Sequence, residues 1–306
     1  MNLSTTPIDP IRQVLFNFRF IMPHPFQSPL LSALRRAMQG SREVQEQLCP
    51  SDALDKEDRS PVTVADLAVQ IVISHALHEI DPDTPLVGEE DPSVFEGEGG
   101  SQLRTRLQGI LREQGMGLDE SELGEWLSYG SGKGGGSGAF WTLDPIDGTK
   151  GFLRHGQYAL ALARIEDGRV VQSFLGCPNL ASAKSLGEGS LFYAIRGGGA
   201  WEVFPDGSSS PVQVSANANP GTCRFCESVE SGHSDHHWSS SITRSLGSTT
   251  EPLRMDSQCK YGAVARGDAD VYLRLPTRPG YVERIWDHAA GCLLVEEAGG
   301  TVTDIT

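Results

Sequence analysis

No run of about eighteen consecutive apolar residues occurs anywhere in the 306-residue chain, so the sequence contains no helical membrane span. Positive charge is also scarce. Lys and Arg number 25 against 40 Asp and Glu, a formal net charge of −15. That balance argues against docking on a nucleic acid polymer or an acidic membrane surface. An anionic small molecule would need a cationic intermediary, and a bound metal ion is the natural candidate. Cysteines are few and unevenly spaced: Cys49, Cys177, Cys223, Cys226, Cys259 and Cys292. With no evident cleavable secretory signal, they read as reduced thiols of a cytoplasmic protein. Residues 1–29 read as a disordered tail. Their Arg12 and Arg19 against a single acid, Asp9, leave an organellar transit segment as the alternative.

What is present is a foldable core. Hydrophobic residues make up 38% of the chain and recur in periodic runs. Leu30, Leu31, Leu34 and Met38 share one helical face before Gly40, which is expected to interrupt it. A mostly apolar helix is expected over 67–80, with Leu67, Ile71, Val72 and Leu77 facing the core, and 81–85 ends it. A short strand, Leu86-Val87-Gly88, delivers Glu89 and Glu90, and a polar helical stretch follows to about Trp126. Residues 130–138 are almost all Gly and Ser and read as a flexible loop, with no phosphate-loop spacing. A strand over 140–143 ends at Asp144. Alternating patterns then predict two hairpins, 158–165 with 169–175 and 191–195 with 200–204. Beyond about residue 216, short strands over 223–229 and 269–275 alternate with helices near 237–246, 260–265 and 287–298. The reading is a larger part, 30–215, with helices against a largely antiparallel sheet, and a smaller α/β part, 216–306.

Acidic residues fall where strands or loops meet helices: Asp66, Glu89, the pair Asp144 and Asp147, and Asp287. Oxygen ligands gathered in this way suit a hard divalent cation such as Mg²⁺. Each residue also has a plainer role available. Asp66 could complete a capping box with Thr63, Asp287 could cap the last helix, and 144–149 could be no more than a proline turn. Two other patterns carry less. Ser257-x-x-Lys260 lacks the companion motifs of penicillin-recognising enzymes. Cys223-x-x-Cys226 with His233, His236 and His237 is spaced too tightly for ordinary zinc fingers and lies in an expected strand.

Taken together, Trp141-Thr-Leu-Asp144-Pro-Ile-Asp147-Gly-Thr149, Glu89 in Val87-Gly-Glu-Glu90, and Trp286-Asp287-His-Ala-Ala-Gly291 closely resemble the lithium-sensitive, magnesium-dependent phosphatases of the inositol monophosphatase superfamily. Ser60-Pro-Val-Thr-Val-Ala-Asp66, Gly176-Cys-Pro-Asn179, Asp256-Ser-Gln-Cys-Lys260 and Ala269-Asp-Val-Tyr-Leu-Arg274 narrow the resemblance to 3′(2′),5′-bisphosphate nucleotidases. It runs from about residue 30 to 306. The resemblance implies a layered α-β-α-β-α sandwich of mixed α+β and α/β character, incomplete at its C-terminus. Glu89, Asp144, the Ile146 carbonyl, Asp147 and Asp287 would hold Mg²⁺, and Asp66 with Thr149 would activate water. Thr149, His233, Ser257, Lys260, Arg274 and Asp287 would hold a bisphosphorylated nucleotide. The implied reaction removes the 3′-phosphate of 3′-phosphoadenosine 5′-phosphate, with 3′-phosphoadenylyl sulfate as a second substrate. An inositol polyphosphate 1-phosphatase and a truncated, catalytically weak nucleotide-binding paralogue are the alternatives.

Overall fold

The computed structural model describes residues 27–48, 64–96, 99–184, 187–229, 236–274 and 282–304. Most of the expected tail therefore lies outside the described residues, but its last three, 27–29, already belong to helix α1 (Gln27–Gln47). Contrary to expectation, α1 runs straight through Gly40. A Cβ there would sit 1.8 Å from the Gln114 side-chain nitrogen, so the missing side chain admits a close neighbour. The cost of a mid-helix glycine, about 1 kcal/mol relative to alanine, is offset by that packing.

Helix α2 (Val64–Ile80) is mostly apolar and mostly buried, and places Asp66 in its first turn. Strand β1 (Leu86–Gly88) follows, then helices α3 (Gly100–Glu113) and α4 (Glu120–Ser128), so the polar helical stretch is two helices rather than one. Asp119 caps α4, and Glu122 reaches back to the Asp119 N–H at 2.7 Å. The glycine-rich segment is partly pinned: the Gly132 N–H donates to the Leu86 carbonyl and the Gly88 N–H to the Gly130 carbonyl, each at 2.8 Å.

The main sheet comprises β1, β2 (Ala139–Asp147), β3 (Ala159–Glu166), β4 (Arg169–Cys177), β5 (Ser190–Ile195), β6 (Gly199–Val203) and β7 (Ser209–Pro211), side by side in chain order. Only the β1–β2 pairing is parallel. Alternation along β3 shows how both faces are filled. Leu160 and Leu162 join a core with Leu34, Leu67, Ile71, Trp141 and Phe174 under α1 and α2, while Ala159, Ala161 and Ala163 face the other way. On that second face the small alanines are covered by helices α7 (Cys259–Ala265) and α8 (Ala289–Glu297), through Ala263, Leu293 and Leu294.

A second, all-parallel sheet takes the order β10 (Val271–Tyr272), β8 (Phe225–Glu227), β9 (Leu253–Arg254), with helix α6 (His236–Ser245) between β8 and β9 in the chain. These elements complete the layered α-β-α-β-α arrangement. Two of the expected strands are shorter than their sequence patterns, and Asp287 does not begin the last helix. It ends a separate 3₁₀ turn, Ile285–Asp287, and His288 occupies the cap of α8. No helix among the described residues is long and apolar enough to cross a membrane.

Asp270 fastens the second sheet. Its side chain, only 6% exposed, accepts from the Arg224 N–H at 2.7 Å, from Arg224 Nε and Nη2 at 3.2 and 3.1 Å, and from Asn217 Nδ2 at 3.2 Å. Burial alone would raise its pKa, but the bonds from Arg224, Ser215 and Asn217 outweigh burial and hold it well below the usual carboxylate range. Asp270→Ala should destabilise the fold by about 2–4 kcal/mol at pH 7. A depressed carboxylate contributes stability above its unfolded pKa, near 4, and loses it as pH falls from there toward the folded value. The gap between wild-type and variant denaturation midpoints should therefore narrow below about pH 4. Identical midpoints at pH 7 would show the staple to be inert.

Candidate active site

The geometry of the carboxylates starts with Pro145, which removes one backbone donor from β2. The pairing register slips between Asp144 and Asp147. In a regular strand residues three apart point to opposite faces, whereas a bulge can re-aim one of them. Both Asp144 and Asp147 line one cleft, so β2 does not end at Asp144 as expected but carries the bulge within it. Gly148 follows at φ 87°, a left-handed conformation that a glycine adopts without strain; a Cβ there would lie 2.8 Å from that of Ser257. The turn from strand to the short helix α5 (Thr149–Leu153) thus packs directly on the Ser257 loop.

The cleft has a volume of about 210 Å³, and Glu89, Asp144, Ile146, Asp147, Thr149, Ser257, Lys260, Arg274 and Asp287 are all on its wall. Nearly every site residue expected from the sequence is brought together there. His233 lies outside the described residues. Asp66 is the exception among those described: it is 2% exposed and is not on the wall, with Glu90 as a charged neighbour. The Thr149 hydroxyl donates to the Ile146 carbonyl at 3.3 Å. A larger hollow of about 410 Å³ lies along α1, where Arg35 and Arg42 face Glu43, Glu46 and Glu188. It contains none of these groups, so size does not locate the chemistry.

Burial and mutual repulsion govern the carboxylates. Burial pushes Glu89 up to about 7, with Asp147 and Asp287 adding to the rise and a hydrogen bond with Asp144 opposing it. Asp144 is raised well above the usual range, first by burial and then by Glu89, Asp147 and Asp287. Burial likewise raises Asp147 and Asp287. Among the described residues no three His, Cys, Asp or Glu side chains converge closely enough to hold an ion as they stand. They are turned onto protein donors instead: Glu89 onto Asp144, Asp147 onto the Gln258 N–H, and Asp287 onto the Arg284 N–H at 2.8 Å. Even so, the buried Asp144 Oδ1 has no hydrogen-bond partner. An all-oxygen donor set, crowded with negative charge and with one orphaned buried oxygen, fits a hard divalent cation.

Positive charge lies on the same cleft. Lys260 is 2% exposed, its Nζ donating to the Met255 carbonyl at 3.2 Å and lying 5.2 Å from the Tyr272 ring. Burial lowers its pKa while Asp147 opposes the fall. Arg274 makes a two-pronged contact with Glu283, Nε to Oε1 at 2.8 Å and Nη2 to Oε2 at 2.6 Å. Sequence reasoning missed Glu283. It also missed Asp256, a wall residue bonded to Arg154 at 2.9 Å, and Gln70, whose amide brackets the Glu90 backbone with bonds of 2.7 and 3.0 Å. Lone polar residues of this kind carry no spacing signal; Asp256 alone sat inside a quoted motif. Cys226 is buried in β8, where burial pushes its thiol up to about 12, and His233, the first of the histidines that follow the cysteine pair, lies outside the described residues. All five described cysteines are free.

The inositol monophosphatase family model matches residues 27–306. The chain belongs to the inositol monophosphatase family. It is a phosphatase by that membership, as the sequence motifs implied. Among curated relatives, the 3′(2′),5′-bisphosphate nucleotidase of Schizosaccharomyces pombe is 43% identical over 296 residues, covering 90% of this chain and 83% of the relative. The 3′(2′),5′-bisphosphate nucleotidase 1 of Arabidopsis thaliana is 43% identical over 280 residues, covering 84% and 79%. Among solved structures, the extragenic suppressor protein SuhB of Bartonella henselae superposes with a TM-score of 0.59 at 21% identity, over 90% of this chain and 86% of that one. CysQ of Bacteroides thetaiotaomicron superposes at 0.56 with 19% identity, over 89% and 85%. At those identities the structures show a shared fold.

Proposed function

We propose that this phosphatase removes the 3′-phosphate of 3′-phosphoadenosine 5′-phosphate, giving AMP and phosphate with Mg²⁺ as cofactor, and accepts 3′-phosphoadenylyl sulfate as a second substrate. The observation that carries the reading is the two-signed cleft: Glu89, Asp144, Asp147 and Asp287 share one cavity with Lys260 and Arg274. A substrate with two separated phosphates suits such a wall, one end toward the carboxylates and their cation, the other toward the basic side chains. The names of the 39–43% identical relatives support the same substrate class.

Glu89, Asp144, Asp147, Asp287 and the Ile146 carbonyl would hold Mg²⁺, which supplies charge to neutralise the phosphoryl oxygens and acidify a water. The protein's own residues do the rest. Thr149 would take the proton of the attacking water at Oγ1 and release its hydroxyl proton toward the buried Asp66 carboxylate. For this the Thr149 hydroxyl must leave the Ile146 carbonyl. Ser257, Lys260, Arg274 and His233 would orient the nucleotide and its second phosphate, and Asp287 would also meet the substrate.

Phosphate release from a panel of bisphosphates, with chelator and with Mg²⁺ restored, tests the proposal. Turnover should vanish in excess chelator and return with Mg²⁺, because phosphate monoester hydrolysis without catalysis is among the slowest of reactions, up to about 10²¹-fold below the enzymatic rate. Full turnover in excess chelator would overturn it.

A further inference from the structure

Gln258 is 1% exposed, lies in none of the expected roles, and touches three separate parts of the site. Its main-chain N–H donates to Asp147 Oδ2. Its side-chain Nε2 donates to the Trp286 carbonyl at 2.9 Å, and its Oε1 accepts from the Gly291 N–H at 3.3 Å. Those last two partners flank Asp287 in the chain, one on the 3₁₀ turn and the other in the first turn of α8. A carboxamide is suited to the task because it carries a donor and an acceptor on one planar group.

We propose that Gln258 is a positioning residue that sets the spacing between Asp147 and Asp287, holding the first through its backbone and the turn that carries the second through its side chain. Asp287 stands where a turn meets a helix, on main chain that the turn's own bonds hold lightly: the Asp287 N–H to the Arg284 carbonyl at 3.1 Å and the His288 N–H to the Ile285 carbonyl at 3.4 Å. The Gln258 bracket adds a tie on each side. Ser257 and Lys260 flank Gln258 in the chain, so the same residue joins the carboxylate wall to the basic wall. This rests on the reading of Asp147 and Asp287 as cation ligands. Residues that orient a ligand in this way typically change metal affinity by 10- to 100-fold when replaced.

The test is Mn²⁺ binding to the full chain without substrate, by electron paramagnetic resonance or titration calorimetry, at a temperature where melting curves show each variant folded. Gln258→Met keeps the volume and removes both side-chain bonds; Gln258→Glu keeps the acceptor for Gly291 and loses the donor to Trp286. Each folded variant should bind Mn²⁺ about 10- to 100-fold more weakly, and raised Mn²⁺ should restore more of kcat than is lost from nucleotide KM. A purely structural role would lower the melting temperature and leave Mn²⁺ affinity unchanged, and that result would overturn the proposal. Asp287→Asn separates the two layers. If it weakens Mn²⁺ binding while folded Gln258 variants bind normally, the positioning role alone fails. If Asp287→Asn binds Mn²⁺ as well as wild type does, the cation-site reading fails and the positioning role with it.

Discussion

Asp147→Asn should fold normally and lose at least about 3 kcal/mol of transition-state stabilisation, a fall of roughly 10²-fold or more in kcat at saturating Mg²⁺. The substitution is nearly isosteric. An asparagine oxygen can still accept the Gln258 N–H, so the contact between the two loops is kept. What disappears is one negative charge from a cleft where Asp144, Asp287 and Glu89 supply the rest. In the absence of metal that charge is a burden, since burial raises all four carboxylates. Removing it should leave the metal-free fold as stable as wild type or more so, while catalysis drops. A variant with full turnover would make Asp147 a turn residue, the plain role its proline motif also allows.

The second large effect concerns substrate choice. Lys260→Met and Arg274→Ala should each lower kcat/KM on 3′-phosphoadenosine 5′-phosphate by the equivalent of about 2–5 kcal/mol, the cost of truncating one partner of a desolvated charge pair. Their effect on a small monophosphate should be much weaker, because only the second phosphate is assigned to the basic wall. Arg274→Ala also strands Glu283, now without its two-pronged partner and close to His288, with 3.5 Å between Glu283 Oε2 and His288 Nε2. Of the two, Lys260→Met is the cleaner comparison. Equal losses on both substrates would assign these cations to general architecture, and preferential hydrolysis of inositol 1,4-bisphosphate by the wild type would favour the alternative phosphatase.

The parts of the fold written most plainly in the sequence are those with strong local periodicity. The alternation of Ala159-Leu-Ala-Leu-Ala163 fixes which side of β3 meets α1 and α2 and which meets α7 and α8, and both hairpins follow from turn residues at short range. Gly40 misled because its propensity speaks against a helix, whereas the tertiary contact with Gln114 that requires glycine is 74 positions away in the chain. The 3₁₀ turn ahead of α8 was hidden because an aspartate before an apolar run reads equally well as a cap. At the site, Glu89, Asp144, Asp147 and Asp287 stood out in the sequence as acids at the expected ends of strands or starts of helices, within the motifs that carry the family resemblance. Gln258, Glu283 and Gln70 act through contacts that no spacing announces: the Gln258 side chain meets backbone groups 28 and 33 positions away.

The central claim, removal of the 3′-phosphate at a cleft shared by carboxylates and cations, is tested most directly by following 3′-phosphoadenosine 5′-phosphate with the full chain and Mg²⁺ by phosphorus NMR. The account predicts that the 3′-phosphate resonance decays, that inorganic phosphate grows in equal amount, and that the 5′-phosphate resonance persists as AMP. Accumulation of the 3′-monophosphate, or an unchanged spectrum from folded protein, would contradict it.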